Sequence, residues 1–334
     1  MSTPLIRTFG STVLLALSLT FAGCQGYGPG PTAQPMAPLF GPSGSAPHQA
    51  PPPTYAATPR PVAQPAPRPA PTPAPAPKPA PPPPRPTTPA APSYPRSGWM
   101  LARQPTGVPL MGGATLWEVR ATHAGKTVDC TAVVFDSRRF ELRVIDQPNP
   151  NAGGRVIADA MRAHRASAGI NGGFFTPTFD PLGLMIASGR TTGIFKTSGI
   201  LSGAVMQFSS EPYILWNNEY QGSSGVTNLV QGGPRLVNSA SPVGGLDHSK
   251  SSTRSFVASD GRHNWIIGTT GSTDLASLAE MLATPGIIPG VNVMRALNLD
   301  GGRSSAIWAA PANGREISRP GWSTVRNYLA IVPR

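Results

Sequence analysis

Cysteine, acidic residues and long apolar runs are all scarce in this chain of 334 residues. Its two cysteines, Cys24 and Cys130, are too few for the disulfide framework of a small secreted fold. No Asp or Glu occurs before Glu118, so much of the net charge of +12 belongs to the N-terminal part. The most apolar stretch there, Val13 to Ala22, has about ten residues, half of what a helix needs to cross a bilayer. The sequence therefore excludes a disulfide-stapled fold and argues against a bilayer-spanning helix in this stretch.

Residues 1–24 have the pattern of a bacterial export signal, with one basic residue before a short apolar core. Two small residues then lead directly into Cys24. Small residues at this distance before a cysteine resemble the lipobox of bacterial lipoproteins, in which the cysteine thiol is acylated. Phe21 departs from the leucine more common in that motif, so an ordinary cleaved signal with an unrelated cysteine stays open. Gln25, rather than Asp, favours a lipid anchor in the outer membrane facing the periplasm.

Residues 25–97 form a predicted tether of mostly Pro, Ala, Gly and Thr, where most of the 42 prolines lie. Proline fixes φ and removes the backbone donor, so this stretch favours extended polyproline II over helix or sheet. It has too few large apolar residues to offset the entropy of folding, so we expect it to be disordered. At about 3.1 Å per residue it can reach on the order of 200 Å. Its scattered basic residues suit anionic cell wall or lipid, so net charge does not indicate a nucleic-acid partner.

Residues 98–334 are long enough for a single globular domain with a sizeable core. Many short apolar runs accompany few helical patterns, which predicts an α+β domain with a mixed β-sheet core and two principal helices. The first helix is predicted at 156–168, and the second follows Thr273 or Asp274, either of which can cap it. The predicted strands are 115–121, 127–136, 141–147, a short strand that begins at 168 and ends in the glycines 172 and 173, 183–189, 203–209, 213–218, 255–260, 264–270, 327–333, and a buried strand within 293–302.

Cys130 is the one cysteine of this domain, so the domain has no internal disulfide. It lies in TVDCTAVVFD, an alternating pattern that is typical of a strand. No sequence cue suggests a base that would activate the thiol, so we expect a buried structural cysteine rather than a catalytic one.

Four segments join an apolar strand to polar residues, and three of them also contain a pair of glycines. They are INGGFF (170–175), VQGGPRLV (230–237), STRSFVASD (252–260) and LNLDGGRSS (297–305). Glycine permits unusual φ angles and has no Cβ, so it lets main-chain amides approach a ligand closely. Successive amides in such a turn form a concave anion site, which Arg and Ser side chains can complete. Taken alone, a Gly-Gly pair after a strand is more often only a tight turn.

In this order and spacing the segments resemble the phosphodiester glycosidase family, from about Val156 to Arg334. INGGFF, QGGPRLV and LNLDGG carry most of the likeness, and GWSTVRNYLAIV is similar to the closing strand of the family. Arg303 departs from the pattern, because the family usually has a third glycine there. Its side chain either adds a phosphate contact or restricts the loop and changes the substrate.

The resemblance implies hydrolysis of a sugar–phosphate diester at the glycosidic carbon, which leaves a free sugar and a phosphomonoester. Asp300 is then the best carboxylate for nucleophile, base or metal ligand, and Asn171 is placed to orient the sugar or a water. Arg254 and Arg326 are the candidate phosphate clamps. The other candidate phosphate-binding residues are Gly172, Gly173, Gly232, Gly233, Gly301, Gly302 and Ser304.

Structural interpretations of the same residues stay open. Asp300 can cap its own loop through downstream amides, and Arg326 can form an ion pair at the edge of the core. A second carboxylate is not obvious, so retention or inversion at the anomeric carbon is undecided. The candidates for it are Glu219, Asp247 and Asp260, of which Asp260 has the features of a turn residue. Asp180 and His248 are weaker candidates for site residues in general, because both lie in polar loops where solvent exposure is the usual explanation. No cofactor is predicted, and a divalent metal is open, although no cluster has recognisable ligand spacing.

Two functions from different classes fit the sequence. One is an envelope glycosidase that acts on sugar–phosphate diesters of the cell envelope. The other is a non-catalytic lipoprotein that binds envelope glycan in the same anion pocket, and Arg303 is the feature that most favours it. Nucleic-acid binding rests on charge alone, without an aromatic-interleaved basic patch to support it.

Overall fold

The computed structural model describes residues 98–152 and 156–334. Within these ranges the chain forms 19 β-strands, two α-helices and three short 3₁₀ helices. The predicted export signal and tether, with Cys24, lie outside the described residues and stay predictions, as does the boundary at residue 98. Among the described residues, no helix has the length and apolar character needed to cross a membrane.

The strands are numbered in chain order. They are β1 (Met100–Leu101), β2 (Thr106–Pro109), β3 (Thr115–His123), β4 (Lys126–Asp136), β5 (Phe140–Asp146), β6 (Ala168–Asn171), β7 (Met185–Ala187), β8 (Arg190–Thr192), β9 (Gly203–Phe208), β10 (Glu211–Trp216), β11 (Val226–Gly232), β12 (Arg235–Asn238), β13 (Ser241–Pro242), β14 (Ser255–Ser259), β15 (Asn264–Thr270), β16 (Arg295–Asn298), β17 (Ile307–Ala309), β18 (Ile317–Arg319) and β19 (Asn327–Pro333). The helices are α1 (Val156–Ala163) and α2 (Leu275–Ala283), and the 3₁₀ helices are Met111–Gly113, Asn217–Glu219 and Gly302–Ser304. Every stretch predicted as a strand overlaps an observed strand.

The strands form three sheets. The first has the order β1-β3-β4-β15-β14-β16-β12-β13, with β2 also paired to β3. The second has the order β10-β9-β11-β7-β8, and the third β18-β17-β6-β19-β5. A central core lies between inward faces of all three sheets, with Leu116, Phe140, Met185, Leu297 and Leu329 among its buried members.

The prediction of a mixed sheet is wrong, because every strand pair in the described ranges is antiparallel. Parallel neighbours need a crossover connection, which is usually helical. Both helices here do connect strands that run in the same direction. In each case, however, a third strand lies between the two: β19 separates β5 from β6, and β14 separates β15 from β16. The α+β description with two helices is confirmed.

Helix α1 is shorter than the predicted 156–168 and ends at Ala163. Arg165 has a φ of 52°, a left-handed conformation that turns the chain away from the helix axis. The residues from Ala168 then pair with β17 and β19 as strand β6. Pairing between strands that are distant in sequence therefore overrides the local helical pattern.

Helix α2 begins where the sequence predicts. Asp274 is its N-cap and accepts a hydrogen bond from the Ser277 amide at 2.7 Å. Lys126 from the first sheet contacts the same carboxylate at 2.9 Å. The helix covers the outer face of that sheet, where Leu278 and Met281 are buried. On this face Cys130 is a free, buried thiol whose pKa is raised by burial, which confirms the prediction of a buried cysteine.

Candidate active site

The loop that follows β16 is hydrogen-bonded to two other segments that the sequence singled out. The Asp300 amide donates to the Gly172 carbonyl at 3.1 Å, and the Gly302 amide donates to the Thr253 carbonyl at 2.8 Å. The Thr253 hydroxyl donates in return to the Gly302 carbonyl at 2.7 Å. Three of the four predicted segments, which adjoin strands β6, β14 and β16, therefore lie next to one another.

The fourth segment reaches the same place from the second sheet. The Gly233 amide donates to the Asn298 carbonyl at 2.7 Å, and the Gly233–Pro234 peptide bond is cis. A cavity of about 360 Å³ opens where the segments meet. Its lining residues include Phe174, Gly233, Pro234, Ser252, Arg254, Asn298, Asp300, Gly301 and Gly302.

Asp300 is the one carboxylate among the described residues that line this cavity. Its side chain is partly buried, and its Oδ1 accepts a hydrogen bond from the Gly301 amide at 2.9 Å. Burial raises the pKa of the Asp300 carboxyl, and hydrogen bonds from Ser304 and the Gly301 amide offset part of that rise. A carboxylate that has lost hydrating water is a stronger base or nucleophile than one in solution.

Arg254 lies on the wall of the same cavity and is half-buried. Its Nε donates to the Thr273 carbonyl at 3.1 Å, and its Nη2 donates to the Lys250 carbonyl at 2.6 Å. Burial lowers the pKa of the guanidinium, whereas the charges of Asp247 and Asp274 oppose that shift. Because arginine normally titrates above about 12, the group stays charged. A fixed cation therefore shares the cavity with Asp300.

Asn171 is fully buried beneath this cavity. Its Nδ2 donates to the Asp300 carbonyl at 2.7 Å, and its Oδ1 accepts from the Ser255 hydroxyl at 2.6 Å and the Ala306 amide at 3.1 Å. Its amide is therefore committed to the protein and connects β6, β14 and the loop that carries Asp300.

Close backbone contacts explain the glycines at two positions. A Cβ on Gly301 would lie 2.8 Å from the Thr253 carbonyl oxygen, and a Cβ on Gly232 would lie 2.7 Å from the Asn298 carbonyl oxygen. Real Cβ atoms essentially never approach that closely, so a larger residue would push the segments apart. Gly302 also has a φ of 61°, which favours glycine.

Comparison with known proteins agrees with the motifs. The family model for phosphodiester glycosidase matches residues 164–332 of the chain. The chain belongs to the phosphodiester glycosidase family. No match is found among curated proteins.

Among solved structures, the chain is similar to the catalytic domain of zebrafish N-acetylglucosamine-1-phosphodiester alpha-N-acetylglucosaminidase. The identity is 17%, the match covers 73% of this chain and 87% of that one, and the TM-score is 0.46. A hypothetical protein from Synechocystis is 16% identical over 70% of this chain and 64% of its own length, with a TM-score of 0.45.

The remaining candidates for phosphate binding in this chain occupy different surroundings. Gly173 lies behind the cavity, where its amide donates to Asn327 Oδ1 at 2.9 Å, and Ser304 is buried within the 3₁₀ turn that follows Gly301. Arg326 is buried and forms an ion pair with Asp146, and it is not among the residues that line the cavity.

Arg303, which departs from the family pattern, has an exposed side chain. Its backbone lies within the 3₁₀ helix Gly302–Ser304, so an arginine fits there without a left-handed φ. Its carbonyl accepts from the Trp322 amide at 2.7 Å and the Ser323 amide at 3.1 Å. These bonds hold the outer side of the loop to the segment before β19.

None of the candidates for a second carboxylate lines the cavity in the described part of the chain. Glu219 makes two hydrogen bonds with Arg295, at 2.7 and 2.8 Å. Asp260 accepts from the Arg262 amide at 2.7 Å, as expected of a turn residue. Asp247 accepts from the Ser249 amide at 2.7 Å, while Asp180 and His248 are exposed. The described ranges also contain no group of three or more His, Cys, Asp or Glu side chains arranged to hold a metal.

Asn298 is a site residue that sequence reasoning missed. It is 4% exposed, and its Nδ2 donates to the Gly233 and Leu299 carbonyls, both at 2.8 Å. Two carbonyl partners fix the orientation of the amide, because only the nitrogen can donate. The Oδ1 is buried and has no hydrogen-bond partner in the described part of the chain. The signal in the sequence was an amide within an otherwise apolar strand, just before the Asp-Gly-Gly.

Proposed function

We propose that this protein hydrolyses a sugar–phosphate diester of the cell envelope at the bond between the anomeric carbon and the bridging oxygen. The products are a free sugar and a phosphomonoester. The observation that carries the proposal is that Asp300 and Arg254 line one cavity with the glycine backbone of two motif segments. Membership of the phosphodiester glycosidase family supports the reaction class.

In the proposed reaction, Arg254 holds the phosphate, and its fixed charge becomes more favourable as the bond breaks. The bridging oxygen leaves with the bonding electrons, so the phosphate gains a second negative charge in the product. An arginine that is already in place stabilises this developing charge without reorganisation. Water supplies the oxygen for the new carbon–oxygen bond, and its surplus proton passes through Asp300 to solvent or phosphate.

A single carboxylate suits this leaving group. Ordinary glycosidases use a pair, because one acid must protonate a poor leaving oxygen. A phosphate ester leaves readily as an anion and needs little protonation. Asp300 then acts at the anomeric carbon, as a base toward water or as a nucleophile.

The test is hydrolysis of a glucosyl 1-(methyl phosphate) by the purified full-length protein in H₂¹⁸O. We expect free glucose and methyl phosphate, with the ¹⁸O in glucose, because the carbon–oxygen bond is the one that breaks. Asp300→Asn should lower kcat by at least about 10³-fold, within the range for loss of a catalytic carboxylate. Asp159→Asn is the matched control, since Asp159 is an exposed acid on α1.

Label in the phosphate would instead identify a phosphodiesterase that attacks phosphorus. Binding of the diester without turnover would identify the non-catalytic glycan-binding lipoprotein. Full turnover by Asp300→Asn would overturn the assignment of the carboxylate while leaving the reaction intact.

The proposed location is the envelope, through a lipid anchor on Cys24. A tethered domain of this kind acts on substrate that is fixed within reach of the membrane. Labelling of cells with a fatty-acid analogue should mark the protein, and the mark should be lost in Cys24→Ala. A label that survives that substitution would contradict the anchor.

A further inference from the structure

A second polar cavity, of about 250 Å³, adjoins the candidate active site. It is lined in part by Thr197, Ser202, Trp216, Asn217 and Arg235. The two cavities share a wall made of two segments. Ile200 and Pro234 line the active-site cavity, and the residues directly after them in the chain line the second.

That shared wall is held together by hydrogen bonds between its two segments. The Ser202 amide donates to the Gly232 carbonyl at 3.0 Å, and the Arg235 amide donates to the Ser202 hydroxyl at 2.9 Å. A Cβ on Gly233 would collide with the Ile200 carbonyl oxygen. The wall is therefore thin and tightly packed.

Arg235 brings to the second cavity a guanidinium that makes no direct ion pair with a described residue, although its charge helps to lower the pKa of Glu219. Its guanidinium lies 5.3 Å from the centre of the Trp216 ring, and Arg295 lies 5.0 Å from the same ring. Arg295 takes both oxygens of Glu219, the nearby carboxylate. The guanidinium of Arg235 has no hydrogen bond or ion pair with any described residue, so its donors are available to a ligand.

Asn217 adds an unused acceptor beside that cation. Its Nδ2 donates to the Leu201 carbonyl at 2.7 Å, which fixes the orientation of the amide. Its Oδ1 is buried and has no hydrogen-bond partner in the described part of the chain. A planar cation with several donors, next to an acceptor, suits a phosphate that carries a neighbouring hydroxyl.

We infer that the Arg235 cavity binds the leaving group of the substrate and selects leaving groups that carry a second phosphate. This inference rests on the proposed function, because it places the sugar and the scissile phosphate in the cavity of Asp300 and Arg254. The substrate class is then a glycosyl phosphate whose alcohol is itself phosphorylated, as in a polymer with repeated phosphodiester links.

Two hydrolysis-resistant C-glucosyl phosphonate esters test the inference by calorimetry on the full-length protein. One is esterified with glycerol and the other with glycerol phosphate. The wild type should bind the second about ten to a hundred times more tightly, the range expected for a charged hydrogen-bonded contact. Arg235→Gln should abolish this preference, and it should change affinity for the glycerol ester less than twofold. Arg262→Gln, which removes the same charge from an exposed hairpin turn, should keep the preference.

Equal binding of the two esters by the wild type would overturn the inference, as would an unchanged preference in Arg235→Gln. An equal loss in Arg262→Gln would also overturn it, because attraction by net charge would then explain the result. Hydrolysis of the corresponding oxygen-linked diesters is measured separately. A preference in binding without hydrolysis would reject the proposed function and support the phosphate subsite. Hydrolysis of the diesters without a preference in binding would support the proposed function and reject the phosphate subsite.

Discussion

The side chain of Asn171 donates a hydrogen bond to the backbone carbonyl of Asp300 at 2.7 Å. Because its other polar atom is bonded to Ser255 and Ala306, Asn171 has no free polar group, and in the proposed reaction it acts through the position of Asp300. We therefore describe it as a positioning residue rather than a group that touches the sugar.

Asn171→Asp should lower kcat by about 10- to 100-fold, because the donor to the Asp300 carbonyl is replaced by an acceptor that repels it. The acidic limb of the pH–kcat profile should also move, since the surroundings of the Asp300 carboxyl change with its loop. Steady-state kinetics across pH measure both effects. A stability loss with unchanged kcat and an unchanged limb would reduce Asn171 to a structural role.

Asp300 should determine the acidic limb of the pH–activity profile. The apparent pKa of that limb should lie above the pKa of an ordinary aspartate, which is about 3.9. Burial raises the pKa of the carboxyl in the folded state, and the proposed reaction needs it ionised. Activity should therefore rise with pH through that raised pKa. The pH dependence of kcat/KM of the wild type measures it.

The raised pKa of Asp300 also predicts that the stability of the fold falls over the pH range in which activity rises. The folded state binds the Asp300 proton more tightly than the unfolded state, so folding loses stability as pH rises through this range. Asp300→Asn removes the buried charge and should have a higher Tm than wild type at pH 7. The difference should disappear near pH 3, below both pKa values. A lower Tm of the variant at pH 7 would contradict this account.

Arg254 and Arg326 should respond differently to loss of charge. Arg254→Gln should reduce kcat/KM by about 10²-fold or more with a small change in Tm, since it lines the cavity. Arg326→Gln should mainly destabilise, by about 3 kcal/mol, because it leaves Asp146 without its buried partner. Thermal unfolding and kinetics of both variants separate the two roles. A large kinetic loss in Arg326→Gln with unchanged Tm would restore it as a phosphate clamp.

Asn298 should recognise one hydroxyl of the sugar through its unused Oδ1. Substrates that each lack one hydroxyl should include one whose kcat/KM with the wild type falls about 10- to 100-fold. In Asn298→Leu the kcat/KM values of that substrate and of its parent should differ by less than about twofold, because the acceptor is gone. Taking the ratio of kcat/KM for the two substrates within each protein cancels any general loss of activity in the variant. The same penalty in both proteins would show that the hydroxyl is bound elsewhere.

Gly301→Ala should reduce both stability and activity. The new Cβ would meet the Thr253 carbonyl, which already accepts from Gly302 and cannot easily move. We expect a loss of about 1–3 kcal/mol in the free energy of unfolding, typical of overpacking, and a clear drop in kcat/KM. Gly244→Ala is the matched control, since a Cβ there meets no atom within 4 Å. Equal behaviour of the two variants would contradict the close approach.

Helices and strands that depend on neighbouring residues were predicted correctly from the sequence. The predictions failed where contacts with segments far away in the chain determine the structure. Asp274 caps α2 through Ser277, which lies three residues further along the chain. Strand β19 coincides with an apolar run in the sequence. The early end of α1 depends on β17 and β19, which are far away in the chain.

The candidate site shows the same division. Glycine segments after strands indicated that several backbone turns would meet, and they do meet around Asp300. The sequence left Arg326 open between a phosphate clamp and an ion pair at the edge of the core. The choice depends on the pairing of β19 with β5, which places Asp146 beside it. Asn298 was missed because its orientation depends on the carbonyl of Gly233, which lies far away in the sequence, in the link between β11 and β12.

The place of β19 in the third sheet also affects the order of folding. It lies between β5 and β6, so the sheet cannot close until residues 327–333 have left the ribosome. Contacts between segments so distant in sequence form slowly, because a long loop must first be ordered. Until then Leu329 and Ile331 are missing from the central core, and the Gly172 amide lacks the Asn327 carbonyl. Translation of this segment is therefore a precondition for an ordered binding cavity.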